Sequence, residues 1–397
     1  MIRRLTTAVA VTVFLGLVGS TTTVAAAAPT SAAVASKMVA APITTAFVQG
    51  DETWFVLPMG HLSNFANTFW QLFVRTPTDN GWVTVTPPGV ADNAGLVITD
   101  GPGGALLAGF LANKDLTFSP LSLTTDGGNT WTAVYIPEGL ISVPDALGGT
   151  TTGVTLGLGR SGRGRLLETE ADLSTWRSAT TAGHLGRSAA GTRCGVERLT
   201  ATAVAPDGDP LVGTACRRPG VIGLFDVAGG GTRAVPFPVS PSLTGATVSV
   251  LRLVPTATGV AVLLRAQKPT RRTLLVAGWL STSAQPATLS APFAVPPGAR
   301  LLATGTTPGG GVFALLQTSD GSAPELVDVT ASPTGRPAWN VLPQPPRGTL
   351  AAAFSSGRID AVTVHSSTLI DYVFDVSSAT WVRSQVVHVP IQYGSSG

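Results

Sequence analysis

Lysine is almost missing from this chain. Only Lys37, Lys114 and Lys268 occur in 397 residues, and arginine supplies nearly all the positive charge. Charged residues of both signs make up 12% of the sequence, which leaves helices little to cover their solvent faces. Removing the leader arginines, Arg3 and Arg4, takes the 25 basic residues to 23 against 22 acidic ones. A mature net charge near +1 gives no support for nucleic acid as a partner. Long apolar runs are also few. One extends from Ala8 to about Gly19, roughly 12 residues against the ~20 that span a bilayer, so no membrane span is expected once the leader is removed. Histidine is limited to His61, His184, His365 and His388, and none has metal-ligand spacing with another His or Cys. No Gly-x-Ser-x-Gly elbow and no phosphate loop is present. Catalytic, cofactor-binding and metal-binding residues are therefore all expected to be none.

Cysteine is limited to Cys194 and Cys216. Neither has a His partner nearby in sequence, which argues against a catalytic thiolate. In an exported protein such a pair is expected as a disulfide, the alternative being two buried thiols. Export is what the first residues predict. Arg3 and Arg4, the apolar run and the small residues 21–28 are the three parts of a signal peptide, over residues 1–28. A short flexible segment, 29–41, is expected next, then one domain over 42–393. The location read from this is secreted, extracellular. The alanine-rich leader and the preference for arginine fit a GC-rich, actinobacterial source.

What is abundant points to β structure. There are 46 glycines and 30 prolines, and Val, Leu, Thr and Ala dominate the rest. The clearest unit is 121–131, where an apolar strand ends at Thr124, an Asp-Gly-Gly-Asn turn follows, and Trp131 opens the next strand. Weaker copies end on Trp82, Trp176, Trp339 and Trp381, with another around 225–232. The place near 282–287 has lost its aromatic residue. Adjacent anchors lie roughly 42 to 56 residues apart, a repeat of blade length for a four-stranded propeller. The fold class expected is all-β, a β-propeller of about seven four-stranded blades, with six or eight as alternatives and a pair of β-sandwiches as the competitor. The intervals are 42–90, 91–140, 141–190, 191–240, 241–296, 297–346 and 347–393.

Thr124, Asp126, Gly128, Thr130 and Trp131 fill the pattern Ser/Thr-x-Asp-x-Gly-x-Thr-Trp, and this segment resembles the Asp-box, or BNR repeat, of sialidases and related propellers. The resemblance implies a structural box. Its Asp would stabilise the turn between third and fourth strands, and its Trp would pack between blades, with Trp82, Trp176, Trp339 and Trp381 as the other blade anchors. The family's catalytic set is not matched. Its first arginine lies in a Tyr/Phe-Arg-Ile-Pro motif before the first box, yet no arginine occurs from Leu5 to Val74. The nearest look-alike, around Arg252, is mid-chain and lacks the aromatic residue. Only Tyr135, Tyr372 and Tyr393 could supply the tyrosine nucleophile. Other glycosidases need two carboxyl groups on one pocket, but Asp79, Asp100, Asp126, Asp207, Asp209 and Asp320 read as turn formers, and the other copies of the turn read as having lost its polar residues.

One charge asymmetry stands out. Arg160, Arg163, Arg165, Arg177, Arg187, Arg193, Arg198, Arg217 and Arg218 crowd blades three and four. Of these, Arg160, Arg163, Arg165 and Arg187, with His184 in an apparent Gly-rich loop, form the expected ligand face. The reading is a secreted, non-catalytic, lectin-like binding protein for a cell-surface glycan or an extracellular protein, possible as a subunit of a secreted assembly. The alternatives are a sialidase-like glycoside hydrolase and a structural scaffold for another exported protein.

Overall fold

Short strands recur through the whole computed structural model, which describes residues 44–60, 68–78, 81–87, 93–112, 121–136, 147–150, 153–158, 164–170, 172–256, 259–281, 287–330 and 336–389. The expected signal peptide and flexible segment, 1–41, lie outside these residues. Strands pair with their sequence neighbours into seven four-stranded antiparallel units, the blades, at 44–84, 93–134, 147–181, 196–234, 247–294, 300–341 and 349–388. Each falls within one interval read from the repeat. Blade 5 adds a short fifth strand, Phe293–Ala294, beside its third. We letter the strands of each blade A to D in chain order.

The second strands show why the chain must stack its blades. Strand B of blade 5, Gly259–Gln267, is buried from Gly259 through Leu264 on both faces. No single sheet can bury two faces, so each blade needs a neighbour on either side. Apolar clusters supply this in order around a ring. Trp54 and Leu72 of blade 1 meet Ile98 and Leu106 of blade 2. Leu107 and Leu121 meet Leu156 of blade 3, and Leu166 meets Val212 and Phe225 of blade 4. Leu211 and Leu224 meet Val248 and Val262 of blade 5, and Leu263 and Leu275 meet Ala314 and Val327 of blade 6. The last cluster joins blades 6 and 7 back to Phe55, Leu57 and Phe73 of blade 1.

The tryptophan anchors repeat one contact. Trp131 Nε1 donates to the Val85 carbonyl at 2.9 Å, Trp339 to Ala291 at 3.0 Å and Trp381 to Pro343 at 3.1 Å. Each acceptor lies just outside the outer strand of the preceding blade. Trp176 is half-buried against the cluster of blades 2 and 3. Trp82, in the first blade, turns to the last one instead.

That seam between blades 1 and 7 differs from the others. Every blade uses consecutive strands, so blade 7 is complete without a strand from the N-terminus. Polar side chains join the ends. Arg75 donates from both terminal nitrogens to Asp360, at 2.7 and 3.0 Å. Arg358 bridges Asp360 at 2.7 Å and Asp371 at 3.1 Å. The Asp360 and Asp371 side chains are 0% and 1% exposed. The Arg75 guanidinium lies 4.6 Å from the Trp82 ring centroid, and the Trp82 amide donates to Gln385 Oε1 at 2.7 Å. Burial, and then the charge of Asp360, push the Asp371 carboxyl well above the usual carboxylate range, while Arg358 opposes them.

Two short helices interrupt the β structure between blades 3 and 4, at Ala182–Arg187 (α1) and Ala189–Cys194 (α2). The sequence reading placed His184 in a loop there, and the helix corrects it. Thr181 Oγ1 accepts from the His184 amide and Ser188 Oγ from the Gly191 amide, so each helix has a side-chain N-cap. Cys194 ends α2 and is bonded to Cys216 at the end of strand B of blade 4, Pro210–Cys216, with the Cα atoms 5.0 Å apart. The bridge therefore ties a helix to the sheet.

Candidate functional site

Strand direction divides the ring's charged residues between two faces. The A–B and C–D turns lie on one face, here the lower, and the B–C and D–A connections lie on the upper. The lower face carries the acidic turns of blades 2, 3, 4 and 7, whereas Asp320, between strands B and C of blade 6, caps a turn on the upper face. Between strands C and D of blade 2, Asp126 accepts from Thr130 N at 2.9 Å, Thr130 Oγ1 at 2.6 Å and Thr124 Oγ1 at 2.8 Å. These hydrogen bonds hold its carboxyl below the ordinary range. Gly128, at φ +87°, donates to Thr124 Oγ1 at 3.0 Å. The same device recurs where the sequence reading had the polar turn lost. Asp172 accepts from the Ser174 hydroxyl and amide, and Asp375 from Ser377 and Ser378. The Thr before the Trp is kept, as Thr175 and Thr380, while Ser174 and Ser377 stand where the full pattern has Gly and supply the hydrogen bonds. Asp100, read as a turn former, instead ends strand A of blade 2, Asn93–Asp100. Burial raises its carboxyl to about 6, opposed by a hydrogen bond from Gln49. Both arginines that begin D strands on this lower face in blades 3 and 4 are paired, Arg177 to Glu168 at 2.9 Å and Arg233 to Asp226.

The upper face of blades 3 to 5 is the opposite. Arg165, half-buried, starts strand C of blade 3, Arg165–Glu170, at this end. His184 and Arg187 are exposed on α1, and Arg193 is exposed on α2. Of the expected ligand face, Arg160 and Arg163 lie outside the described residues. The Cys194–Cys216 bridge then leads directly to Arg217 and Arg218, whose amides donate to the carbonyls of Gly195 at 3.1 Å and Cys194 at 3.0 Å.

Beside Arg217 a cleft of about 500 Å³ opens between blades 4 and 5. Its geometry follows from the register. Arg198 pairs with Ala215, Ala215 with Ser249 across the blade junction, and Ser249 with Arg265. Directly paired residues point to the same side of a sheet. Two small side chains thus form the floor and two arginines the walls, three strand spacings or about 14 Å apart at their backbones. Thr247, Gln267 and Arg217 extend the lining, and Glu197 is its one carboxylate among the described residues. Unlike the lower-face arginines, Arg198, Arg217 and Arg265 have no ion pair among the described residues. Desolvation, and then the charge of Arg198, hold the Arg265 guanidinium below the usual arginine range. A bound oxyanion reaching both groups would remove that repulsion.

Sequence reasoning reached Arg198 and Arg217 as members of a basic region but missed Arg265. Its only signal was a charged residue inside the apolar run 259–267, and its partner could be found only from the pairing of two blades. Arg252, the look-alike of the sialidase arginine, is not part of this cleft. It is buried in strand A of blade 5, Thr247–Thr256, and donates to Thr304 of blade 6 at 3.1 Å.

No family model matches the chain, and neither does any curated protein sequence. Solved structures do match. A protein from Lactobacillus plantarum is 10% identical, with a TM-score of 0.51 over 85% of this chain and 96% of its own. A proposed 6-phosphogluconolactonase from Bacteroides fragilis is 11% identical, with a TM-score of 0.50 over 86% and 97%. The β-propeller domain of the trilobed protease from Pyrococcus furiosus is 9% identical, with a TM-score of 0.48 over 87% and 96%. At these identities the likeness concerns architecture alone: the chain is an all-β propeller.

Proposed function

We propose that this protein is a secreted, non-catalytic, lectin-like propeller that binds a cell-surface glycan at the cleft between blades 4 and 5. The observation that carries the reading is the row Arg198, Ala215, Ser249, Arg265, which sets two guanidiniums without an ion pair among the described residues over a floor of alanine and serine. Guanidiniums, a threonine, a serine and a glutamine offer the planar, multiply hydrogen-bonding surface that hydroxyl- and oxyanion-bearing sugars require. Binding is favoured over hydrolysis because Glu197 has no second carboxylate among the lining residues. Binding is also favoured over a scaffold role. Among the described residues the large apolar side chains that are exposed are one tyrosine and five valines, Val83, Tyr135, Val239, Val341, Val376 and Val382, a small and scattered set for a surface that a protein partner would cover.

A glycan array probed with the mature protein, run beside a fluorogenic glycosidase screen, tests the reading. Array binding without turnover is the expected result. Turnover abolished by a single carboxylate substitution would replace it with the hydrolase reading.

A further inference from the structure

Resting on that reading, we infer that the glycan is an anionic polysaccharide. One carboxylate or sulfate group is clamped between Arg198 and Arg265, and further anionic groups of the same chain lie along the arginines of the adjoining helices. Two observations make the ligand charged and one makes it long.

The first is contrast. The arginines that begin the D strands of blades 3 and 4 on the lower face are neutralised by Glu168 and Asp226, whereas those of the cleft have no ion pair among the described residues. The second is proximity of like charge. Arg198 and Arg265 stand on the same side of the sheet with Ala215 and Ser249 between them, and burial, then the charge of Arg198, disfavour the charged form of Arg265. A neutral sugar leaves that repulsion in place. An oxyanion bound to both guanidiniums converts it into two charge-assisted contacts.

Length follows from how the basic residues continue beyond the cleft. Arg217 lines it, Arg218 follows, and both pack against Gly195 at the end of α2. Arg193 and Arg187 then continue the series along α2 and α1, exposed and without an ion pair among the described residues. A monosaccharide would fill the cleft and leave this track unused. A polymer with an anionic group in each repeat engages both. The disulfide fixes the junction, since Cys216 is itself a lining residue and immediately precedes Arg217.

The test is titration calorimetry on the purified mature protein with four probes of matched length: a sulfated heparin oligosaccharide, an oligogalacturonate, a neutral dextran oligomer and inorganic polyphosphate. Each is measured at about 50 and 300 mM NaCl, a range over which the screening length falls more than twofold. We expect at least one of the two charged glycans to bind ten-fold or more tighter than dextran, and to weaken about ten-fold at the higher salt. Which of the two binds identifies the anionic group. Arg198→Ala and Arg265→Ala should each lose about ten-fold, while Arg198→Lys retains most of the affinity. Glu197→Gln should gain two- to five-fold, a direction that misfolding cannot produce, and Arg233→Ala on the lower face should change nothing. Dextran binding as tightly as the charged glycans overturns the anionic ligand and leaves the lectin reading standing. Polyphosphate binding with no glycan binding overturns both, as does silence from all four probes together with a blank array. Unchanged affinity in Arg198→Ala and Arg265→Ala moves the site elsewhere and overturns the clamp.

Discussion

Replacing Asp360 with asparagine should open the ring at one place. Asp360 is fully buried and accepts three charged hydrogen bonds, two from Arg75 of blade 1 and one from Arg358 of its own blade. Asparagine keeps the shape and removes the charge. Arg358 retains Asp371 as a partner, but Arg75, with a side chain only 12% exposed, loses the carboxylate in contact with it and keeps only the more distant charge of Asp371. Removing one member of a buried pair costs about 3–5 kcal/mol, because the remaining charge stays desolvated. With an unfolding entropy of roughly 2.1 cal/mol/K per residue over about 350 residues, that loss lowers Tm by about 4–7 °C. Calorimetry of the wild type and Asp360→Asn measures it. Arg233→Met, which removes the exposed member of the Arg233–Asp226 pair, is the control and should lower Tm by clearly less than Asp360→Asn does. Hydrogen exchange supplies the location. Strand D of blade 7, Thr380–His388, and strand C of blade 1, Thr68–Arg75, should lose protection while blades 3 to 5 do not. A further variant replaces Arg75 and Asp360 together by Met and Leu and should recover much of the loss, since no charge is then stranded. A loss below about 0.5 kcal/mol in Asp360→Asn, or deprotection spread evenly over all blades, would refute the idea that this cluster closes the ring.

Three other predictions follow from the geometry. Asp100, raised to about 6 against an unfolded value near 3.8, stabilises the fold most when protonated, so its contribution is full below about pH 4 and is lost as pH rises through 6. Asp100→Asn should therefore raise stability at pH 7.5 by about 2 kcal/mol and leave it almost unchanged at pH 4, as read by urea midpoints at the two pH values. The Cys194→Ser/Cys216→Ser variant should lose about 3 kcal/mol, as expected for a sequence separation of 22 residues, and should bind ligand more weakly because Arg217 is no longer held beside the cleft. Gly128→Ala should cost about 2 kcal/mol or more by thermal melting, since φ is +87° and the added Cβ would lie 2.6 Å from the Val85 Cβ.

The blades were legible in the sequence because their punctuation is chemical. Asp-Gly turns and a tryptophan at the start of an outer strand each need specific residues, so Trp82, Trp131, Trp176, Trp339 and Trp381 gave the spacing of a blade even where little else repeats. Two turns were underestimated because Ser174 and Ser377 stand where the pattern has glycine, and Glu170 and Val373 where it has its first Ser or Thr, yet a short hydroxyl after the carboxylate performs the same capping. The helices at 182–194 were hidden by Gly183, Gly186 and Gly191, which lower helix propensity. Thr181 and Ser188 were the available signals, each standing three residues before the amide that it caps. Gly191 is needed there, as a Cβ would fall 1.8 Å from the Leu185 carbonyl oxygen. The cleft was the least legible part. It depends on Ala215 pairing with Ser249 across two blades, and no local pattern encodes a register between separate repeats.

The seam also constrains the order in which the chain can fold. Arg75 and Asp360 are separated by 285 residues, so the first blade's outward apolar face, with Phe55, Leu57 and Phe73, is only partly covered, by blade 6, until the last 40 or so described residues exist. Contacts of such sequence separation form late and slowly. Blades 1 to 6 would therefore stack in succession, with blade 6 meeting blade 1 only at their inner strands, where Thr44–Ala46 pair with Ala303–Gly305, and the outer gap left between them can take a second chain's blade where the seventh belongs. A chain truncated before Thr349 should consequently associate into oligomers instead of remaining a stable six-bladed monomer.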